Sequence, residues 1–369
     1  MAKINFPRRL IQIIFGSILW LNIYPSHADT LPLVNPVVTS ASVKAWVDQY
    51  VLPSYNALHQ RNLQLQTQAH NLCANVSLAH LDDIKPPLND ALHAFAYSQA
   101  IDGGPMQDEL RNFQLYFWPD RSNLVNRQLA QLMSQSDLLL LQQQGLEQAS
   151  VALTGYPALE RLLFVPHYRQ KVIDDPHKFG CNYIIYITNN LVRITAAITK
   201  DWHANWRQQL VGFGDINSRF KTPADQVSFI FSNIDLLLSK IITKKLAKPL
   251  ASSASKAKPK HLESWRSSNS LMMLKANTKA LEDSLNITLK PALVSAGKKS
   301  KWHSISDRLT LIKQQLDQLP TPLVTHLSQP QYWQQTELLQ AQFIQLQAEL
   351  RYLYPSLNVK LGFNAYDGD

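Results

Sequence analysis

Apolar residues recur at three- and four-residue spacing along most of this chain, and almost nowhere in strict alternation. Between Lys178 and Gln208, for example, Ile184, Ile187, Leu191, Ile194 and Ile198 line one side of a 3.6-residue repeat. Residues so spaced form a stripe that must be buried against other helices. Breakers are scarce: the 369 residues include only 11 glycines, while Leu, Gln and Ala, all good helix formers, dominate. The β-branched run Tyr183-Ile184-Ile185-Tyr186-Ile187 would read as a strand alone, but it lies inside the Lys178–Gln208 repeat and reads as helix. No alternating run bounded by turn signals argues for a sheet. The expected fold class is all-α.

The same pattern divides the chain. In the first half, helices are expected from Ser42 to Val76, Asp83 to Ile101 (interrupted near Pro86-Pro87), Pro105 to Leu115, Arg121 to Met133, and in pieces from Ser136 to Phe164. Pro166 to Pro176 reads as a charged loop. Gly212 to Pro223 has the Gly, Asp, Asn, Ser and Pro content of a junction. Beyond it, helices are expected over Asp225–Leu246, Ser264–Leu285, Ser304–Leu319 and Gln331–Leu353, an arrangement suited to a four-helix bundle. Lys248 to Lys260, rich in Ala, Ser, Lys and Pro, reads as a flexible connection. The division is then 1–28 signal peptide, 29–215 N-terminal helical domain and 216–369 C-terminal bundle.

The signal peptide rests on Lys3, Arg8 and Arg9, the apolar stretch Leu10 to Ile23, and the small residues of Ser26-His27-Ala28. Cleavage after Ala28 lowers the formal net charge from +9 to +6 and directs the chain to the periplasm. No later segment reads as a membrane span. Seven lysines, from Lys240 to Lys260, run without an acidic residue between them, and Lys298, Lys299 and Lys301 form a second cluster. Such patches suit a solvated surface, an anionic lipid headgroup or an acidic partner; no nucleic-acid motif accompanies them. The two cysteines, Cys73 and Cys181, lie on expected helices. An oxidising compartment makes a disulfide between them one reading, and two buried thiols the other.

Motifs for common chemistries are missing: no His-Glu-x-x-His, no Gly-x-Ser-x-Gly, no phosphate-binding glycine loop. What stands out is Gly155-Tyr156-Pro157-Ala158-Leu159-Glu160, followed by Arg161-Leu162-Leu163-Phe164. Gly155 allows an irregular backbone, Pro157 suits a first helical turn, and Glu160 complements the helix dipole. The hexapeptide resembles the Gly-x-His-x-x-Glu signature of the imelysin family, helical envelope proteins once classed as peptidases and often associated with iron uptake. Phe117-Trp118-Pro119-Asp120-Arg121, Ala100-Ile101-Asp102-Gly103-Gly104-Pro105, Leu262-Glu263-Ser264-Trp265-Arg266-Ser267 and the ending Leu361 to Asp369 resemble further family segments, in family order.

The resemblance implies two helical bundles with the signature facing a cleft between them. It implies a candidate site of Gly155, Pro157, Glu160, Asp102, Trp118, Asp120, Arg121, Trp265 and Arg266. A His and a Glu one helical turn apart can share an ion, but Pro157 offers no donor atom, leaving Glu160 as the surviving metal ligand. Iron or another divalent metal is the implied cofactor, with a hard-ion set of Glu160, Asp102 and Asp120 as one way to hold it. His80 with Asp83, and His167, Asp174, Asp175 and His177, are weaker candidates. An arginine beside Glu160 is the alternative to a cation, pairing with it bidentately. Three functions follow: a binding or accessory protein acting with an envelope partner of an iron-uptake system, a structural protein without metal, and a metallopeptidase.

Overall fold

The computed structural model describes residues 35–135, 150–212 and 218–362. All regular structure among them is helical. The expected signal peptide, residues 136–149 of the helical pieces after Ser136, part of the Gly212–Pro223 junction and the ending after Gly362 lie outside the described residues.

Three long helices carry the first half. The first comprises α1 (Ser40–Trp46), a π-helical turn (Val47–Val51) and α2 (Leu52–Ala74). Its start is fixed by Thr39, whose hydroxyl accepts from Ser42 N. After the short α3 (Leu78–Asp83) comes α4 (Lys85–Ser98). Pro86 and Pro87 do not interrupt it: they sit in its first turn, where a missing N–H costs nothing. Helices α5 (Arg111–Leu115), α6 (Leu124–Gln135) and α7 (Tyr156–Phe164) are short. The segment expected as a charged loop is instead helix α8 (Pro166–Asp174): Pro166 starts it, and Tyr168 and Val172, one turn apart, bury its inner face. The third long helix is α9 (Phe179–Asp201), extended by a π turn (Trp202–Trp206) and α10 (Arg207–Val211).

In the second half, α11 (Pro223–Lys240) opens with a capping box between Thr222 and Asp225. It runs through a π segment (Ile241–Ala247) into α12 (Lys248–Leu250). This continuous stretch, Pro223–Leu250, is as long and apolar as a membrane span, contrary to the sequence reading, yet two-thirds of its most apolar window is buried inside the protein. It is a core helix. The Lys248–Lys260 connection is turn-structured rather than free, with two short 3-10 turns and Lys258 N donating to Pro249 O at 2.7 Å. Helix α13 (Ser270–Ser295) begins six residues later than expected, because Ser264 and Ser268 adopt positive φ and hold residues 262–269 in turns. Helices α14 (Lys299–Gln318), α15 (Leu323–His326) and α16 (Pro330–Leu353) complete the chain.

Helix α2 packs between α9 and α4; α4 also packs along α13, which leads through α14 and α16 back to α11. From Asn35 onward the chain clusters as one compact unit, and the packing crosses the Gly212–Pro223 junction. Polar fasteners cross it too. Trp46 Nε1 donates to Ser284 Oγ at 3.2 Å, Tyr97 OH to Asp283 at 2.6 Å, and Gly103 N to Asn233 Oδ1 at 2.6 Å. Lys245, fully buried on the π segment, pairs with Glu263 Oε2 at 2.6 Å and donates to Asn277 Oδ1 (2.6 Å) and, across the junction, to Gln99 Oε1 (2.7 Å). Cys73, near the end of α2, and Cys181, in the first turn of α9, form a disulfide with 5.5 Å between Cα atoms.

Candidate functional site

The signature segment forms the wall of a cleft of about 520 Å³ that lies between residues of the two halves of the chain. Gly155 starts α7 in an extended conformation open to any residue (φ −126°). Its importance is space: a Cβ there would stand 2.2 Å from Leu115 O and 2.4 Å from Gln114 O, so only glycine lets α7 begin against the end of α5. Pro157, in the first turn, and Glu160, one turn on, both face the cleft.

Glu160 is buried, and Ser267 Oγ donates to its Oε1. Asn269 Nδ2 in turn donates to Ser267 Oγ at 2.9 Å and to Asn89 Oδ1 at 2.6 Å, which holds the hydroxyl in place. Burial pushes the Glu160 carboxyl above its ordinary range, against the Ser267 hydrogen bond and the charges of Arg266 and Arg161. The expected bidentate arginine is not found: among the described residues, no arginine forms an ion pair with Glu160. The hydroxyl of Ser267, on a turn packed directly over the carboxylate, occupies that place.

Asp120 performs the capping role open to it from sequence, accepting from Leu124 N (2.7 Å) and Val125 N (3.0 Å) at the start of α6. It also faces Arg161 Nη2 at 3.6 Å. Arg161, 4% exposed, donates Nη1 to Pro157 O at 2.9 Å, while its buried Nε–H meets no acceptor among the described residues. Burial first, and Arg266 second, pull the Arg161 guanidinium down to about 10. Arg266 lies over the Trp265 ring with Cζ 4.3 Å from its centroid, and burial lowers its value as well. Trp118 lines the same cleft, and Arg121 lies exposed at its rim.

Not every expected residue joins them. Asp102 lines a separate space of about 30 Å³, 4.0 Å from Lys240 Nζ, and is absent from the cleft. His80 bonds to Asn75 O at 2.6 Å, and Asp175 accepts from His177 N and Gly180 N; neither turns toward Glu160. Among the described residues, no three His, Cys, Asp or Glu side chains converge. With Asp120 spent on a helix start and Glu160 bound to Ser267, the donors as placed do not fit a resident divalent metal.

Sequence reasoning passed over several lining residues. Tyr116, whose hydroxyl lies 2.7 Å from Ser264 Oγ, stands beside the family-like Phe117–Arg121 segment. Arg161 follows the signature directly. Lys244, Lys248, Lys258 and Lys260 come from the acid-free lysine run, which was the available signal.

A family model described as imelysin, under the heading peptidase M75, matches residues 51–350. The chain belongs to the imelysin family. Its imelysin scaffold is similar to the iron-regulated protein A of Synechococcus elongatus, at 22% identity over 310 residues and 80% of each chain. An imelysin-like protein from Psychrobacter arcticum 273-4 shares the fold, with a TM-score of 0.75 at 19% identity, covering 89% of this chain and all of the other.

Proposed function

We propose that this imelysin-family chain is an accessory binding protein of the periplasm or cell envelope, exported by the signal peptide of residues 1–28, and that the cleft beside Glu160 is its ligand site. In this reading two bundles, 29–215 and 216–369, meet at the cleft, the metal motif is degraded, and the protein serves iron-related physiology beside an envelope partner. The name of the Synechococcus elongatus relative, an iron-regulated protein, supports that context.

One observation carries the reading: the surviving carboxylate of the signature is buried, turned to Ser267 and flanked by arginines, next to a cleft large enough for a small molecule. Metal-assisted hydrolysis needs about three protein ligands and an open position for water; Pro157 withholds one of them and Asp120 is committed elsewhere. The peptidase reading therefore ranks last.

The test uses the mature chain, residues 29–369. Incubation with an unfolded protein substrate, with and without a chelator, is expected to give no chelator-sensitive cleavage. Cleavage that the chelator blocks and Glu160→Gln abolishes would overturn the proposal.

A further inference from the structure

We infer that the cleft binds a small multivalent oxyanion, a molecule carrying several carboxylate or phosphate oxygens, between Arg161 and Arg266. The inference rests on the cleft being the ligand site proposed above and names what it takes.

The cleft is rich in cations. Seven lysine and arginine side chains line the cleft against two carboxylates, and both carboxylates are already engaged. Asp120 accepts two backbone N–H groups, and its approach to Arg161 is a long 3.6 Å. Arg266 forms no ion pair among the described residues and rests on the face of Trp265. A guanidinium held by its face keeps its edge N–H groups free for an oxygen pair.

Arg161 is 4% exposed, lines the cleft, and has an Nε–H without an acceptor among the described residues. An unmatched charged donor at that depth costs free energy, and negative charge in the cleft offsets it. The mutual repulsion of Arg161 and Arg266 points the same way.

Size and wall chemistry define the ligand. About 520 Å³ admits a molecule of metabolite size, and Trp118, Trp265 and Tyr116 offer flat apolar surface beside the charges. Lys248, at the start of α12, and Lys258 and Lys260, on the turns after it, line the cleft and add long-range attraction. If iron is the cargo, this chemistry admits it inside an anionic chelate whose oxygens meet the guanidiniums, not as a bare cation. A free polycarboxylate or phosphate presents the same oxygens.

The experiment titrates residues 29–369 with citrate, ferric citrate and pyrophosphate, following heat and tryptophan fluorescence, with acetate and free Zn²⁺ as comparisons. The expected result is saturable one-to-one binding of at least one multivalent probe, weakening as salt rises, with acetate at least tenfold weaker. Arg266→Gln, at a partly exposed turn position, should weaken it at least tenfold; Lys258→Gln with Lys260→Gln should weaken it about threefold. Tighter binding of ferric citrate than of citrate identifies the chelate as the source, and the reverse identifies the free anion. Lack of saturable binding to all three probes, or binding unchanged by Arg266→Gln, overturns the inference. Binding of Zn²⁺ alone, lost in Trp265→Ala, would also overturn it while leaving the cleft as the ligand site.

Discussion

Glu160 is a carboxyl almost wholly buried in the cleft wall, and its burial has a sign. Its folded-state value lies above the ordinary 4.5. Below the unfolded value the group is protonated in both states, and its contribution is fully present. As pH rises through the folded value, the folded protein must ionise a buried group, and that contribution is lost. Replacing it with the neutral isostere in Glu160→Gln removes the dependence. The stability of wild type relative to the variant should therefore fall as pH climbs from about 4.5 toward neutrality. Urea denaturation of both proteins between pH 4 and 8 measures this. A gap that stays flat, or widens in favour of wild type at higher pH, would mean that Arg161 and Arg266 outweigh desolvation.

At the scale of elements, the disulfide ties the end of α2 to the beginning of α9, the two helices that pack most extensively. Closing a loop of 108 residues restricts the unfolded chain, an effect of about 2–4 kcal/mol. Cys73→Ala with Cys181→Ala should lose about that much, with the fold retained, as read by denaturant unfolding with the slope fitted for each protein. A loss under about 0.5 kcal/mol would show that packing alone holds this pair. Elements of this kind were legible in the sequence because each long helix carries its own periodic stripe, as from Ile184 to Ile198. What was not legible were segments whose shape depends on neighbours. Helix α8 forms because Tyr168 and Val172 find a core to enter, and residues 262–269 stay in turns because Ser264, Trp265, Arg266 and Ser267 are each used by the cleft. Of the expected site, Pro157, Glu160, Trp118, Asp120, Arg121, Trp265 and Arg266 share one cleft. Asp102 does not, since adjacency in space to Lys240 is not encoded in any local spacing.

Across the whole molecule, a buried ion pair within the second half takes a hydrogen bond from the lysine across to the first half, beside the apolar packing that joins them. Lys245 and Glu263 are each nearly inaccessible, and Gln99 of the first half completes the lysine's coordination. Lys245→Met alone strands Glu263 in the interior and should cost about 3–5 kcal/mol; adding Glu263→Leu should recover most of it. If the double variant is no more stable than the single one, the pair is specified by something beyond charge balance.

The bridge between Cys73 and Cys181 has a consequence for survival under proteolysis. It encloses Trp118, Asp120, Pro157, Glu160 and Arg161 within one covalent ring, while Trp265 and Arg266 lie beyond it. A protease that cuts once anywhere between the two cysteines opens the ring without releasing a fragment. Both pieces stay on a single covalent thread until a reductant arrives, so one wall of the cleft tolerates a scission that a cut beyond Cys181 would turn into two separable chains.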